Sequence, residues 1–276
     1  MVIACVAGAH TMEGGEVMIP MNIFGDPHGR PDVVWEVIQN TQTGSINICL
    51  GDFGIGFYDC YCSEEKFFDY IAEQDTTILF IDGNHENFSK LNSLPVSTWN
   101  GGKVHMIRHN LIHLMRGEVY DIDGKRFFTF GGGYSLDRER RTEGVDWWPE
   151  ENIQEEDRKN AEKNLNECNH KVDYCITHTA PIDTVGRLAY NHPGVINKKV
   201  MEEFEMTNYL QLIADTTEFS KWYFGHFHVD DERLWQNQYA VMYDVREIET
   251  GDVIYTRTRG IIGSTYDIVY IKDEWV

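Results

Sequence analysis

No apolar run in the sequence approaches the ~20 residues that a helix needs to span a bilayer. The first residues also lack the basic start and the apolar stretch of a secretory signal peptide. We therefore expect a cytoplasmic protein that does not act at a membrane.

Basic residues are scarce: 24 lysines and arginines stand against 45 aspartates and glutamates, which gives a formal net charge of −21. A field of this sign repels polyphosphate backbones. We therefore do not expect a nucleic-acid polymer as a partner, unless metal ions invert the charge at one site.

The six cysteines form no C-x-x-C pair. Cys49 and Cys175 lie inside apolar runs that are typical of buried strands, and Cys60 and Cys62 are too close together for a usual zinc pair. This usage favours reduced thiols over a disulfide framework or a zinc knuckle.

The chain also lacks internal repeats, low-complexity segments and linkers rich in proline or serine, which favours one domain over residues 18–276. Residues 1–17 are small and polar without a clear period, and two further methionines follow at positions 18 and 21. Glu13-Gly14-Gly15-Glu16 back-translates into a purine-rich string that resembles a bacterial ribosome-binding site. Our hypothesis is that residues 1–17 are a non-native leader; an ordered N-terminal extension is the alternative.

Three successive strand–turn–helix units are predicted in the first third of the chain. Their strands are Met18–Phe24, Ile46–Leu50 and Thr77–Ile81, and the helices between them begin at Pro31 and Ser63. This alternation predicts an α/β fold with a largely parallel sheet. Polar clusters at the carboxyl ends of such strands meet at one edge of the sheet.

The remaining elements are shorter. Asp123-Gly124 predicts a hairpin turn, residues 149–170 and 206–217 have helical patterns, and the tail is expected to close a second sheet. The predicted strands here are Leu111–Leu114, Glu118–Ile122, Arg126–Phe130, Val172–Thr177, Trp222–Phe224, Ala240–Val245, Val253–Thr256 and Ile268–Ile271.

Aspartate, asparagine and histidine repeatedly follow the predicted strands. A single aspartate there is often a helix cap, and a single histidine is often structural, but their recurrence is hard to explain by capping. Oxygen and imidazole ligands suit two divalent ions, with manganese expected first and iron or zinc as alternatives. Two such ions can hold a phosphoryl group against the repulsion of an acidic protein. The residues are Asp26, His28, Asp52, Asn84, His85, His178, His226 and His228.

In their order along residues 25–228, these motifs resemble the five-part signature of the calcineurin-like metallophosphoesterase superfamily. The matching segments are Asp26-Pro27-His28, Gly51-Asp52, Gly83-Asn84-His85-Glu86, Thr177-His178 and Gly225-His226-Phe227-His228. The resemblance implies an α/β fold of two stacked mixed β-sheets flanked by helices, with a dinuclear metal site at their top edge.

The resemblance also implies a role for each residue. Asp26, His28 and His228 would bind the first metal; Asn84, His178 and His226 would bind the second; and Asp52 would bridge them. His85 would lie near the substrate phosphate, where an imidazole with its ordinary pKa can stabilise the transition state or protonate the leaving oxygen. Glu86 would orient a neighbouring group by hydrogen bonding.

The implied activity is hydrolysis of a small phosphate ester by in-line attack of metal-bound hydroxide. Gly51-Asp52-Phe53-Gly54 lacks the further Asp-Arg-Gly of protein serine/threonine phosphatases, and Gly225–His228 differs from their Arg-Ala-His ending. These departures favour a phosphodiesterase acting on a small or nucleotide substrate. A phosphomonoesterase is the first alternative, and a non-catalytic scaffold of the same fold is the second, although scaffolds tend to lose ligands and all are present here.

A glycine run at 131–133 leads into arginines and two tryptophans. Arg138, Arg140 or Arg141 could grip a phosphate, as could Arg30 beside the first motif, and Trp147 or Trp148 could stack on a base. The alternative is a surface arginine cluster paired with acids, above aromatic rings packed beneath the loop.

Overall fold

Strands that are buried on both faces form the centre of the computed structural model, which describes residues 18–57, 61–135, 137–193, 203–234 and 237–257. The predicted leader at 1–17, the predicted strand at 268–271 and the Cys60 thiol lie outside the described residues. Among the residues that are described, no helix is both long enough and apolar enough to cross a bilayer.

The described strands pair into two mixed sheets. The first has the order β13-β12-β1-β2-β3-β6-β5-β4 and the second the order β11-β10-β9-β8-β7. The strands are β1 (Met21–Phe24), β2 (Ile46–Cys49), β3 (Thr77–Phe80), β4 (Val96–Trp99), β5 (Gly102–Arg108), β6 (Leu111–Leu114), β7 (Glu118–Ile122), β8 (Lys125–Phe130), β9 (Tyr174–Thr177), β10 (Lys221–Phe224), β11 (Gln238–Ala240), β12 (Asp244–Glu247) and β13 (Val253–Thr256).

Helices flank both sheets, which confirms the predicted fold class. They are α1 (Pro31–Asn40), α2 (Tyr61–Ala72), α3 (Phe88–Leu91), α4 (Glu155–Glu167), α5 (Ile182–Asn191) and α6 (Phe204–Thr216), with short 3₁₀ turns at Arg138–Arg140 and Pro149–Glu151. Pro31 lies at the first turn of α1, where its missing N–H leaves no hydrogen bond unmade.

Side-chain alternation along each central strand divides the core into layers. Ile23 and Ile48 point between the two sheets, where they meet Tyr223 of β10. The next residue on each strand, such as Phe24, points outward and packs with α1 and α2 residues. Trp222 and Phe224 on β10 pack with α4, α5 and α6. Because both faces are covered, these strands are continuous apolar runs, and that continuity made them predictable.

The parallel strands of each sheet end in register. Phe24 pairs with Cys49 and Cys49 pairs with Phe80 in the first sheet. In the second sheet, Thr177 pairs with both Phe130 and Phe224. The polar residues that follow these strands therefore start from one common edge, as the α/β pattern predicts.

The tail differs from the prediction, because the run Ala240–Val245 is not one strand. Its beginning belongs to β11 in the second sheet, whereas β12 pairs antiparallel with β1 in the first sheet. The Asp230 carboxylate accepts hydrogen bonds from the backbone N–H groups of Met242, Tyr243 and Asp244, and these bonds hold the chain in the turn between the sheets. The expectation that the whole tail closes the second sheet is therefore wrong.

Candidate metal centre

The strand ends bring metal-ligating atoms together in two overlapping groups that share Asp52. Ligand atoms of His28, Asp52 and His85 lie within 4.8 Å of one another, and so do those of Asp26, Asp52 and His228. Oxygen and imidazole donors in such groups suit divalent ions such as manganese, iron or zinc.

The site has two halves: the first contains Asp26, His28 and His228, and the second contains Asn84, His178 and His226. Asp52 faces both of them. Its Oδ2 lies 3.1 Å from Nε2 of His28, and its Oδ1 lies 3.3 Å from Nε2 of His178. Burial alone would raise the pKa of this carboxyl, but the facing imidazoles hold it well below its usual range. Asp52 is therefore an ionised carboxylate with one oxygen directed at each half.

The second half contains Asn84, His178 and His226. Nδ1 of His178 contacts the backbone carbonyl of Leu50 at 2.7 Å, and its Nε2 lies 3.1 Å from Oδ1 of Asn84. The rings of His178 and His226 are 4.9 Å apart. Burial lowers the pKa of His178, but the Asp52 and Asp26 carboxylates outweigh it and raise that pKa to about 10. In the metal-free protein a proton on His178 thus balances the charge of Asp52.

The first half contains Asp26, His28 and His228. Oδ2 of Asp26 accepts the backbone N–H of His226 at 2.8 Å and lies 3.7 Å from Nε2 of His228. Within the described part of the chain, the buried Oδ1 of Asp26 has no hydrogen-bond partner. A buried carboxylate oxygen without a donor is costly in a folded protein, and a cation would satisfy it. The residues present therefore fit divalent ions, and their roles as ligands remain predictions.

The backbone at the site has an uncommon conformation. His28, Asp52, His226 and His228 have φ values of 50°, 50°, 65° and 53°, in the left-handed region that non-glycine residues seldom adopt. Each such residue costs of order 1–3 kcal/mol, and such residues cluster at functional sites. After the ends of three strands, β1, β2 and β10, the chain thus turns sharply and directs ligating side chains into the same space.

The glycines before the ligands permit close approach between the strand ends. A Cβ on Gly51 would lie 2.3 Å from Nδ1 of His178, one on Gly83 2.0 Å from Oδ1 of Asp52, and one on Gly225 2.1 Å from Oδ1 of Asp26. No side chain fits at these distances. The Gly-Asp, Gly-Asn and Gly-His pairs of the sequence therefore have a steric cause.

His85 is a partly buried residue beside Asp52. Its backbone N–H donates to Oδ1 of Asp52 at 2.8 Å, and its ring lies 5.2 Å from the ring of His28 and 5.3 Å from that of Phe57. Burial lowers the pKa of His85 to about 3, and the Asp52 carboxylate opposes this shift only in part. The sequence led us to expect an ordinary pKa, and burial is the reason that this expectation is wrong.

Glu86 is fully buried and contacts backbone rather than the ligand atoms. Its carboxylate accepts the N–H groups of Phe53, Gly54 and Ile55 at 2.7, 3.0 and 2.7 Å. It therefore holds the loop that follows Asp52. This arrangement is of the kind expected of a residue that orients a neighbour.

The four arginines that were predicted to bind substrate differ in position. Arg30 pairs with Asp32, Arg138 lies over the Tyr134 ring, and Arg140 is exposed. Arg141 lies near enough to His85 for its charge to affect the pKa of that residue. Arg141 also pairs with Asp137 at 2.7 Å and donates to the carbonyl of Asp146.

Trp148 does not fit the proposed base-stacking role. Its side chain is buried, and its Nε1 donates to Oγ of Ser89 at 2.9 Å. This position matches the alternative, in which aromatic rings pack beneath the loop.

Three polar residues near the site were missed by the sequence analysis: Ser135, Glu151 and Glu203. All three are buried. Glu203 accepts from the Tyr134 N–H and from the Thr179 hydroxyl, and lies 3.5 Å from Nε2 of His226. None of these residues comes directly after a predicted strand, and the available signal was the glycine run that leads to Ser135.

No protein-family model matches the chain, and no curated protein matches it either. Among solved structures, the chain is similar to phosphopantetheinyl hydrolase from Mycobacterium tuberculosis, with 11% sequence identity and a TM-score of 0.40. That alignment covers 81% of this chain and 88% of the other chain. The similarity is too weak for any conclusion about fold or function to rest on it.

Proposed function

We propose that this protein is a dinuclear-metal-dependent phosphoesterase of the calcineurin-like metallophosphoesterase superfamily. The observation that carries the proposal is the buried Asp52 carboxylate, which directs one oxygen toward His28 and the other toward His178. A carboxylate between two sets of nitrogen and oxygen donors is an arrangement that suits two neighbouring divalent ions.

The first ion would be held by Asp26, His28 and His228, the second by Asn84, His178 and His226, and both by Asp52. Manganese fits this mixture of oxygen and imidazole ligands, and iron or zinc would also be accepted. When bound, two such ions supply electrostatic stabilisation of phosphoryl oxygens and a nucleophilic water at neutral pH.

His85 would contact the substrate phosphate. Because its pKa is lowered to about 3, its imidazole is neutral at neutral pH in the metal-free protein. A neutral imidazole still has one N–H, which can donate a hydrogen bond to a phosphoryl oxygen. We therefore assign His85 to stabilising the phosphoryl group and not to carrying a ready proton for the leaving oxygen.

The charge around the site favours a diester over a monoester. A phosphodiester has one negative charge, whereas a monoester near neutral pH approaches two. Arg141 is a basic side chain near His85, but Asp137 already neutralises much of its charge. Apart from the two ions, the site therefore offers little positive charge to balance the second negative charge of a monoester. The net charge of the protein, −21, adds to the repulsion of such a substrate. The proposed substrate is therefore a small or nucleotide phosphodiester.

Hydrolysis of bis-p-nitrophenyl phosphate and of p-nitrophenyl phosphate, each with added Mn²⁺, tests the proposal. We expect faster turnover of the diester, and loss of it in Asp52→Ala and His85→Ala. Preference for the monoester would identify a phosphatase with the same centre. Failure to hydrolyse either compound, in a protein that binds no metal, would contradict the proposed function.

A further inference from the structure

The side-chain amide of Asn84 lies between the second half of the metal centre and a buried serine. Its Oδ1 is 3.1 Å from Nε2 of His178, and its Nδ2 is 3.2 Å from Oγ of Ser135. The two ends of a carboxamide have nearly the same shape, so only hydrogen-bond partners decide which end faces the site. The choice matters because the oxygen ligates a cation, whereas the NH₂ group repels one.

Ser135 is held at two atoms by one carboxylate. Its backbone N–H donates to Oε1 of Glu151 at 2.9 Å, and its hydroxyl donates to Oε2 at 2.7 Å. Glu151 is fully buried, and it lies in the 3₁₀ turn Pro149–Glu151. Both of its oxygens therefore face donors on the same residue.

The number of protons that Ser135 can donate determines the orientation of the Asn84 amide. A serine hydroxyl has a single proton, and here that proton is donated to Glu151. Oγ of Ser135 can therefore only accept from Asn84, so the NH₂ group must point to Ser135. The carbonyl oxygen of Asn84 consequently points toward His178.

The backbone around this chain of hydrogen bonds is also held in place. The Gly133 N–H donates to the Glu151 carbonyl at 3.0 Å. A Cβ on Gly133 would lie 3.1 Å from Oδ1 of Asn84, so the glycine run passes directly against the amide. The glycine run therefore lets the backbone pass close to the Asn84 amide at the metal centre, and the sequence alone does not indicate this role.

We infer that Glu151 and Ser135 are positioning residues for the metal centre: the Glu151 carboxylate orients the Ser135 hydroxyl, which turns the carbonyl oxygen of Asn84 toward the second metal. The inference rests on the proposed function, because it takes the second half of the centre to hold a cation.

Glu151→Gln tests the inference with almost no change in shape. The Ser135 N–H can only donate, so the new amide must offer it the oxygen and must direct its NH₂ group at the Ser135 hydroxyl. The hydroxyl proton is then free to be donated to Oδ1 of Asn84, so the hydrogen bonds no longer exclude the flipped amide, which presents NH₂ to the metal. Changes to groups that orient a ligand typically lower metal affinity by about 10- to 100-fold. We expect a loss of this size for the second Mn²⁺ and little change for the first.

Glu118→Gln is the matched control. This glutamate is also buried, but its carboxylate accepts from Asn160 and pairs with Lys103. We expect the two Mn²⁺ affinities of the Glu118→Gln variant to equal those of the wild type.

Titration of each metal-free protein with Mn²⁺ by calorimetry gives the readout, without any assay of activity. If Glu151→Gln does not fold, Ser135→Ala is measured instead, and we expect the same selective weakening because the anchor of the Asn84 amide is gone. Two Mn²⁺ sites of wild-type affinity in the variant would overturn the inference alone. Fewer than two sites in the wild type would contradict the proposed function, and the inference would fall with it.

Discussion

Oδ1 of Asp52 lies 3.3 Å from Nε2 of His178, and both side chains are closed off from solvent. In the metal-free protein the two form an ion pair, because the neighbouring carboxylates outweigh burial and raise the pKa of His178 to about 10. A metal ligand must be a neutral imidazole. The proton on His178 and a cation in the second half therefore exclude each other.

Metal binding should consequently release protons. His178 is protonated near neutral pH, so we expect about one proton to leave when the second ion binds. The affinity for that ion should rise by up to about tenfold per pH unit between neutral pH and the pKa of His178. Calorimetry in buffers with different ionisation enthalpies measures the release. A binding enthalpy that does not depend on the buffer would show that His178 is already neutral.

Asp52→Ala should remove the link between the two halves. Without a shared carboxylate, we expect at most one Mn²⁺ to remain bound and phosphodiester turnover to fall below about 1% of the wild-type rate. Metal analysis after gel filtration and a rate assay measure the two effects. Asp121→Ala, at an exposed position in β7, is the control that should leave both unchanged. Full metal content in Asp52→Ala would contradict the bridging role.

His85→Ala should separate metal binding from catalysis. We expect turnover to slow by roughly 10²–10³ because a hydrogen bond to the phosphoryl group is lost, with both ions still bound. A nitrogen of His85 does lie within 4.8 Å of ligand atoms of His28 and Asp52. Loss of a metal ion in this variant would therefore reassign His85 as a ligand.

Gly83→Ala tests the close packing of the strand ends. The added methyl would lie 2.0 Å from Oδ1 and 2.4 Å from the backbone nitrogen of Asp52. We expect the free energy of unfolding to fall by about 1–3 kcal/mol, with weaker Mn²⁺ binding. Gly186→Ala in α5 is the matched control, since its methyl would meet no atom within 4 Å. That substitution should stabilise the protein by about 0.5–1 kcal/mol through helix propensity. Equal stability of the two variants would contradict the steric account.

Asp82→Asn should destabilise the strand end before Asn84. The Asp82 carboxylate accepts from the buried Arg116 guanidinium and contacts Nε2 of His113. Removing its charge leaves Asp157 as the one carboxylate paired with Arg116 among the described residues, and we expect this to cost about 1–3 kcal/mol of unfolding free energy. Urea denaturation of the metal-free wild type and variant measures this difference at neutral pH.

The difference in unfolding free energy between the wild type and Asp82→Asn should depend on pH. Burial would raise the pKa of Asp82, but Arg116 and His113 lower it well below the ordinary value. The stabilisation is therefore complete above about pH 4, the pKa of an unfolded aspartate, and declines as the pH falls further. We expect the wild type and Asp82→Asn to converge in stability in strong acid. A difference that grows below about pH 4 would contradict this assignment.

Much of the fold could be predicted because the central strands are buried on both faces. A run such as Thr77–Ile81 is then apolar throughout and ends at a polar turn, so one-dimensional patterns suffice. The tail was not predictable in this way. Whether the run at 240–245 continues or divides depends on the Asp230 carboxylate, which contacts it from more than ten residues away in the chain.

The sequence by itself determined the fold class and the set of candidate ligands, because strand periodicity and residue order are local properties. Tertiary structure alone decided that Asp52 directs one oxygen to each half of the centre, that burial lowers the pKa of His85, and that Trp148 is packed away from the site. It also brought Glu151 and Ser135 to Asn84, across more than fifty residues of chain. Distances, burial and hydrogen-bond direction arise from contacts between distant segments, so they have no signature in the local pattern of residues.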